Sequence, residues 1–270
     1  MTQHALKTRP HTTLQSKTPL SNIYVIASGK GGVGKTCCSI TLASLLSKSG
    51  KKTLLFDGDI GLANIDIQLG LNPEYDLCDL LSQKCDLKSV ITHYTDESET
   101  QKIQLDILPG RSGSGMLGNL SPQQYSILFS SFKTLSSEYD IILIDLGAGV
   151  DHAMRNLAKI GQNQLVVVTT EATSLTDAYA YIKVMHHINS QFKFQILVNR
   201  APNEKAGTQT FNTLQKVCET YLSLDIFLAG IIEEDQNFSQ SIRLQKSMPL
   251  AFPHSKSIKQ LNKIQRNIFE

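Results

Sequence analysis

Short apolar runs alternate with longer amphipathic stretches along most of the chain. The runs Ile23–Ser28, Thr53–Phe56, Leu105–Leu108, Ile141–Ile144, Leu165–Thr169, Phe194–Val198 and Ile226–Ile232 are the strand candidates. Several are apolar almost throughout, as strands covered on both faces must be. Helical periodicity fills most of the intervals. This alternation predicts βαβ units in an α/β fold, a three-layer α/β/α sandwich with a mostly parallel central sheet. Ligands of such sheets sit at the carboxyl ends of the strands.

Two stretches break the pattern. Residues 1–21 are rich in Thr, Ser, Lys and His and predict a flexible basic arm ahead of the fold. The polar segment Thr92–Ile103 (THYTDESETQKI) predicts an exposed loop. Residues 22–270 then read as a single domain, closing from Ser255 in a basic amphipathic helix. Ile258, Leu261, Ile264, Ile268 and Phe269 of that helix fall within an arc of roughly 140°, opposite Lys256, Lys259, Lys263 and Arg266. Such a face can pack on the sheet or lie in a membrane surface. A single Phe in the helix and no Trp in the chain favour packing.

Composition adds limits. The 270 residues are 41% apolar and 19% charged with a net charge of +2, so no global field points to nucleic acid or membrane. The charge is unevenly spread. No acid precedes Asp57, whereas Lys7, Arg9, Lys17, Lys30, Lys35, Lys48, Lys51 and Lys52 do, and the segment from Gln236 onward has Glu270 as its single acid. Two basic ends leave room for weak attraction to anionic lipid or an acidic partner. Five scattered cysteines (Cys37, Cys38, Cys78, Cys85, Cys218) form no CxxC pair and predict reduced cytosolic thiols. With no apolar run near the length of a span, the expected location is cytoplasmic.

The chemistry lies after the first strand. Gly29-Lys30-Gly31-Gly32-Val33-Gly34-Lys35-Thr36 fits G-x-x-x-x-G-K-[ST], with an apolar strand before it and an amphipathic helix after it. Glycines let backbone N–H groups converge on phosphate oxygens, and the helix start adds its dipole. Lys35 is expected to reach the β/γ-phosphates of ATP, and the Thr36 hydroxyl to ligate Mg²⁺. The strand Ile141–Ile144 ends in Asp145, which suits a carboxylate near the metal. Gly147-Ala148-Gly149 follows and can turn an N–H toward the γ-phosphate. A neighbouring strand ends in Asp57-Gly58-Asp59, two more acids placed to face Mg²⁺ and the attacking water. Cys37 and Cys38 are expected to be small core residues behind the loop. Gly110–Gly118 is expected to be a flexible surface loop, and His186-His187 a partly exposed pair on a helix.

These residues resemble the MinD/ParA group of deviant Walker ATPases, whose hallmark is a lysine two residues into the loop, here Lys30. The resemblance runs from about Ile23 to the end of the chain. It implies an ATP-dependent homodimer in which Lys30 crosses to the partner's phosphates, so that hydrolysis, with Lys30, Lys35 and Asp59 as catalytic residues, requires the dimer. It implies nucleotide contacts from Gly29 to Cys37, Asp59 as the switch I acid, Asp145 as the Walker B acid, and Asn199 as the strand-end residue that reads adenine. Thr36, Asp59 and Asp145 would be the metal residues. Within the group, Asp57–Asp66, the Leu108-Pro109-Gly110 turn and Thr170–Tyr179 resemble the flagellar-number regulators of the FlhG (FleN) type; Thr173 or Ser174 would also suit a helix cap. That implies a slow ATPase switch in flagellar placement, a basal-body or FlhF-type GTPase partner, and peripheral membrane contact. MinD-like division-site selection and ParA-like partitioning are the alternatives, with DNA the less favoured partner. Iron–sulfur relatives of the group need cysteines after Asp145 or a C-terminal CxxC, and the sequence has neither. Leu146 stands where many relatives have Ser or Thr, Glu233 where a proline is usual, and residues 1–14 carry no Asp-Gln-Ala-type activating motif.

Overall fold

The protein is described here by a computed structural model covering residues 20–59, 63–97, 102–110 and 120–269. Eight strands, β1 (Leu20–Ser28), β2 (Thr53–Gly58), β3 (Thr92–Glu97), β4 (Lys102–Leu108), β5 (Ile141–Ala148), β6 (Gly161–Val168), β7 (Lys193–Ala201) and β8 (Phe227–Glu233), join one sheet. Their order is β3-β4-β2-β5-β1-β6-β7-β8. All pairings are parallel except β3 with β4. The helices are α1 (Lys35–Lys48), α2 (Ile65–Leu69), α3 (Leu77–Leu81), α4 (Pro122–Glu138), α5 (His152–Ala158), α6 (Ala172–Ile188), α7 (Glu204–Leu222), α8 (Asn237–Leu244), α9 (Met248–Ala251) and α10 (Lys256–Phe269).

Two cores flank the sheet and make the expected three layers. On one face Leu128 and Phe132 of α4, Met154 of α5, Tyr181 of α6 and Phe211 of α7 pack on alternate strand residues such as Ile23, Phe56 and Ile144. On the other, Leu42 and Leu46 of α1 join Ile65 of α2, Met248 of α9 and Leu261 of α10 over Ile26, Leu55 and Leu143. Covered on both faces, β2 is buried along its whole length, which is why it reads as one apolar run.

Two expectations are corrected. The segment expected to be a loop at Thr92–Ile103 contains β3, paired with β4 from Thr92↔Ile107 to Glu97↔Lys102. Tyr94 and Asp96 face inward while His93, Thr95 and Glu97 are exposed. An acid at an inward position hid the alternation. Its carboxylate accepts the Tyr94 hydroxyl at 2.7 Å, and the Ser247 N–H and hydroxyl at 3.3 Å each. The arm is also shorter than expected, because Leu20 already donates to the Ile160 carbonyl and pairs with Gly161. Residues 1–19 and 111–118, the rest of the expected arm and of the glycine-rich loop, lie outside the described residues.

The terminal helix packs, as favoured above. Ile258, Leu261 and Ile264 are buried, each contributing about 2 kcal/mol by removal from water. Helix α10 lies so close to β8 that a β-carbon on Gly230 would overlap the Ile264 side chain. Phe269 closes on the Tyr24 ring, centroids 4.4 Å apart, and the Tyr24 hydroxyl donates to the Ile268 carbonyl. Lys256, Lys259, Lys263 and Arg266 face solvent. Among the described residues no helix is long and apolar enough to cross a membrane.

Candidate nucleotide site

β1 lies inside the sheet between β5 and β6, and the chain leaves its carboxyl end through Gly29–Gly34 into α1. A β-carbon on Gly29 would overlap the Asp177 backbone of α6, so only glycine lets the loop start here. Gly32 and Gly34 have φ of +78° and +84°, where L side chains are strained, and the space beside Gly32 is open. Gly34 is also the N-cap of α1, which therefore begins without a side-chain cap and without an acid in its first turn. By contrast, Ser121 caps α4 with a reciprocal Gln124 bond. The first N–H groups of α1 thus lack the side-chain acceptor that usually meets them, which suits an anion. The Ser28 hydroxyl donates to the Lys30 carbonyl at 2.9 Å and the Asn199 amide to the Val33 carbonyl at 2.8 Å, bracing the loop from outside.

Behind the loop sits a buried ion pair. Lys35 Nζ lies 2.9 Å from Asp145 Oδ1, the two side chains being 8% and 1% exposed. The same oxygen accepts the Ser39 hydroxyl at 2.8 Å. Ser39 was not foreseen from sequence, although a small hydroxyl one turn after Lys35 on the same helix face was the available signal. Asp145 Oδ2 is buried and has no partner among the described residues. A lone acceptor of this kind is costly unless something comes to meet it.

The paired acids Asp57 and Asp59 have different surroundings. Asp57 is buried, its Oδ2 accepting the Asn64 and Ile65 N–H groups at 2.8 and 2.9 Å and its Oδ1 that of Asp59 at 3.2 Å. Burial, together with the nearby Asp145 charge, pushes its pKa up to about 7. Asp57 therefore anchors the chain leaving β2, while Asp59 is half-buried with its carboxylate beside Gly147. Thr36 is half-buried in the first turn of α1. Asn199 is buried at the end of β7, with Oδ1 unpartnered among the described residues.

Lys30 turns away from its own cradle. Its ammonium lies 2.5 Å from Glu171 Oε2 and 3.2 Å from the Thr173 hydroxyl, both at the start of α6. The nearby ammonium holds the exposed Glu171 carboxyl below its ordinary pKa. Three smaller expectations change here. The N-cap of α6 is Glu171, with no side-chain cap bond, because Thr173 meets Lys30 and the Ser174 hydroxyl accepts the Thr169 N–H. The Gly149 N–H is held by the Ser28 carbonyl and does not face the cradle. Cys38 is core, but Cys37 is only half-buried; burial and the Asp145 charge raise its thiol pKa to about 11. His186 is half-buried and His187 exposed, as expected.

A glycine loop between a central parallel strand and an uncapped helix, backed by a buried lysine–aspartate pair, defines the class of P-loop nucleotide hydrolases. The family model described as "AAA domain" matches residues 21–198. The chain is 33% identical over 235 residues to the "Antiactivator FleN" of Pseudomonas aeruginosa, covering 87% of this chain and 81% of that protein. It is 31% identical over 247 residues to the "Flagellum site-determining protein YlxH" of Helicobacter pylori, covering 89% and 80%. Among solved structures, the septum site-determining protein MinD of Pyrococcus horikoshii complexed with Mg-ADP superposes with a TM-score of 0.71 at 26% identity, over 92% of this chain and 96% of that one. The chain belongs to the MinD/ParA family of P-loop ATPases, and FleN and YlxH are among the relatives it is similar to.

The residues present fit a nucleotide with its magnesium ion. The open glycine cradle suits phosphate, the bare Asp145 oxygen suits the hydrated metal, and the bare Asn199 oxygen suits the exocyclic amine of adenine.

Proposed function

We propose that this chain is an ATP-driven dimerising switch that sets the number or placement of flagella. The observation that carries the switch is Lys30: it belongs to the phosphate loop, yet its exposed ammonium rests on Glu171 and Thr173 instead of the loop's own cradle. A lysine so placed is available to a second copy. The flagellar address rests on the likeness to FleN and YlxH.

In this reading Gly29–Cys37 hold the phosphates, Lys35 exchanges Asp145 for phosphate oxygens, and Thr36, Asp145 and Asp59 face the magnesium ion. Bound Mg-ATP supplies the γ-phosphoryl group and the charge that gathers these residues. Asp59, half-buried with its carboxylate beside Gly147, orients water. Lys30 leaves Glu171 and stabilises charge on the partner's phosphates. Asn199 offers Oδ1 to adenine. The exposed pair Lys30–Glu171 is a weak latch, since water and salt screen such pairs, so ATP and a partner can open it.

The protein is expected to act in the cytoplasm. Any peripheral membrane contact would use the basic outer face of α10, whose apolar face is buried. An FlhF-type GTPase or a basal-body protein is the expected partner class. Asp59→Ala is expected to accumulate an ATP-bound dimer, and a variant that stays monomeric with ATP would contradict the water-orienting role. The cellular test is deletion in the source organism. Altered flagellar number, restored by the wild type but not by Lys35→Ala, is the expected result. Normal flagella with misplaced division sites would replace this reading with the MinD-like one.

A further inference from the structure

Among the described residues, four non-glycine positions have left-handed backbone: Gln83, Arg200, Ser223 and Gln245. Ser223 and Gln245 are helix C-caps and Gln83 follows one, where that conformation is ordinary. Arg200, with φ of +55°, alone among the described residues adopts it inside a strand. The β7–β8 ladder slips between Val198 and Ala201, the interval that holds Asn199 and Arg200. A bulge that redirects side chains is a recurrent device beside functional sites.

The consequence is local. Successive strand residues normally point to opposite faces, yet here both Asn199 and Arg200 reach the phosphate loop. Asn199 Nδ2 donates to the Val33 carbonyl at 2.8 Å, and Arg200 Nη1 approaches the Gly32 carbonyl at 3.5 Å. Arg200 Nη2 meets Glu234 Oε1 at 3.4 Å. The guanidinium also contributes to lowering the Glu171 pKa, so it acts on the acid that holds Lys30.

We propose that Arg200 is a positioning residue of the nucleotide site: its strained backbone lets Asn199 and Arg200 hold the consecutive carbonyls of Val33 and Gly32, which keeps the loop's N–H groups turned into the cradle. This rests on the reading of Gly29–Thr36 as a phosphate site. The peptide unit explains the direction of the effect, because a carbonyl fixed outward leaves the following N–H pointing inward. Glu234 holds the far side of the fork, and Glu233 beside it is bonded by Lys256 at 2.5 Å and by Gln260 of α10, while Asp235 accepts the Ser257 hydroxyl at 2.6 Å. Glu233 thus anchors this loop on α10.

The test is calorimetric binding of Mg-ADP to the full chain, with ATP turnover and thermal melting of the nucleotide-free protein, for wild type, Arg200→Gly and Arg200→Lys. Glycine keeps the backbone conformation and removes the side chain. Affinity for ADP is expected to fall about tenfold in Arg200→Gly, with KM rising more than kcat falls. Melting should be unchanged or higher, since glycine relieves strain, and Arg200→Lys should recover part of the affinity. Wild-type affinity in Arg200→Gly overturns the proposal. So does equal weakening in both variants with a lowered melting temperature, which would mean a merely structural role. Absence of Mg-ADP binding by the wild type itself would overturn the phosphate-site reading beneath it.

Discussion

The loop end of the sheet and the α10 face are built in opposite ways. At the loop end, Asp145 Oδ2, Thr169 Oγ1 and Asn199 Oδ1 are buried without partners among the described residues, φ is positive at Gly32, Gly34, Gly149 and Arg200, and α1 starts uncapped. Under α10, Ile258, Leu261 and Ile264 fill the space over Gly230, and the polar atoms at the helix start, on Lys256, Ser257 and Gln260, meet Glu233 and Asp235. One region keeps polar groups waiting and tolerates strain; the other is complete as it stands. Unmet polar groups next to a satisfied core mark where a ligand belongs.

Substitutions can break this contrast. The largest effect is expected from Lys35→Ala. It should remove ATP turnover by at least about a hundredfold, because phosphate charge loses its buried counterpart. It also leaves Asp145 without its cation, at a cost of about 3 kcal/mol to the nucleotide-free fold, measurable by urea denaturation. Unchanged turnover would remove Lys35 from the site. Next, Leu261→Ala under α10 should lose about 2–5 kcal/mol of stability while Mg-ADP affinity in the folded protein stays within about twofold. A large change in affinity at low denaturant would show that the two regions are not separate.

Gly230→Ala should cost about 1–3 kcal/mol through its clash with Ile264, and Ile264→Val in the same chain should recover part of it. Strictly additive losses would contradict the close approach of α10 to β8. The smallest expected change in stability belongs to Lys30→Ala, within about 1 kcal/mol, since both partners of its ion pair are exposed.

The same contrast separates what was legible in the sequence from what was not. The phosphate loop is contiguous, and each of its residues answers to one chemical need, so Gly29–Thr36 could be read directly. Asp145 could be read because an apolar strand leads into it. The division between Asp57 and Asp59 could not, because two acids around one glycine look alike until the Asn64 and Ile65 amides are seen to close on the first. Strand β3 was missed because its inward Asp96 is satisfied by Tyr94 and by Ser247, which lies over 150 positions away. The α10 pattern allowed two uses, and Gly230, on another element, decided between them. The left-handed turn at Arg200 leaves no trace in composition or periodicity. What escaped the sequence depended on hydrogen bonds and backbone turns that residue type alone does not specify, some local, as at Asp57, and some between distant segments, as at Asp96.

The central claim is that Lys30 makes the site a shared one. Sedimentation of the wild type and Lys30→Ala, each with Mg-ATP, Mg-ADP and no nucleotide, tests it most directly. The expected result is a wild-type dimer with Mg-ATP alone, and a Lys30→Ala protein that melts like the wild type but fails to dimerise or to hydrolyse ATP. A wild type that remains monomeric with Mg-ATP, or a Lys30→Ala protein that dimerises and turns over ATP at the wild-type rate, would contradict it.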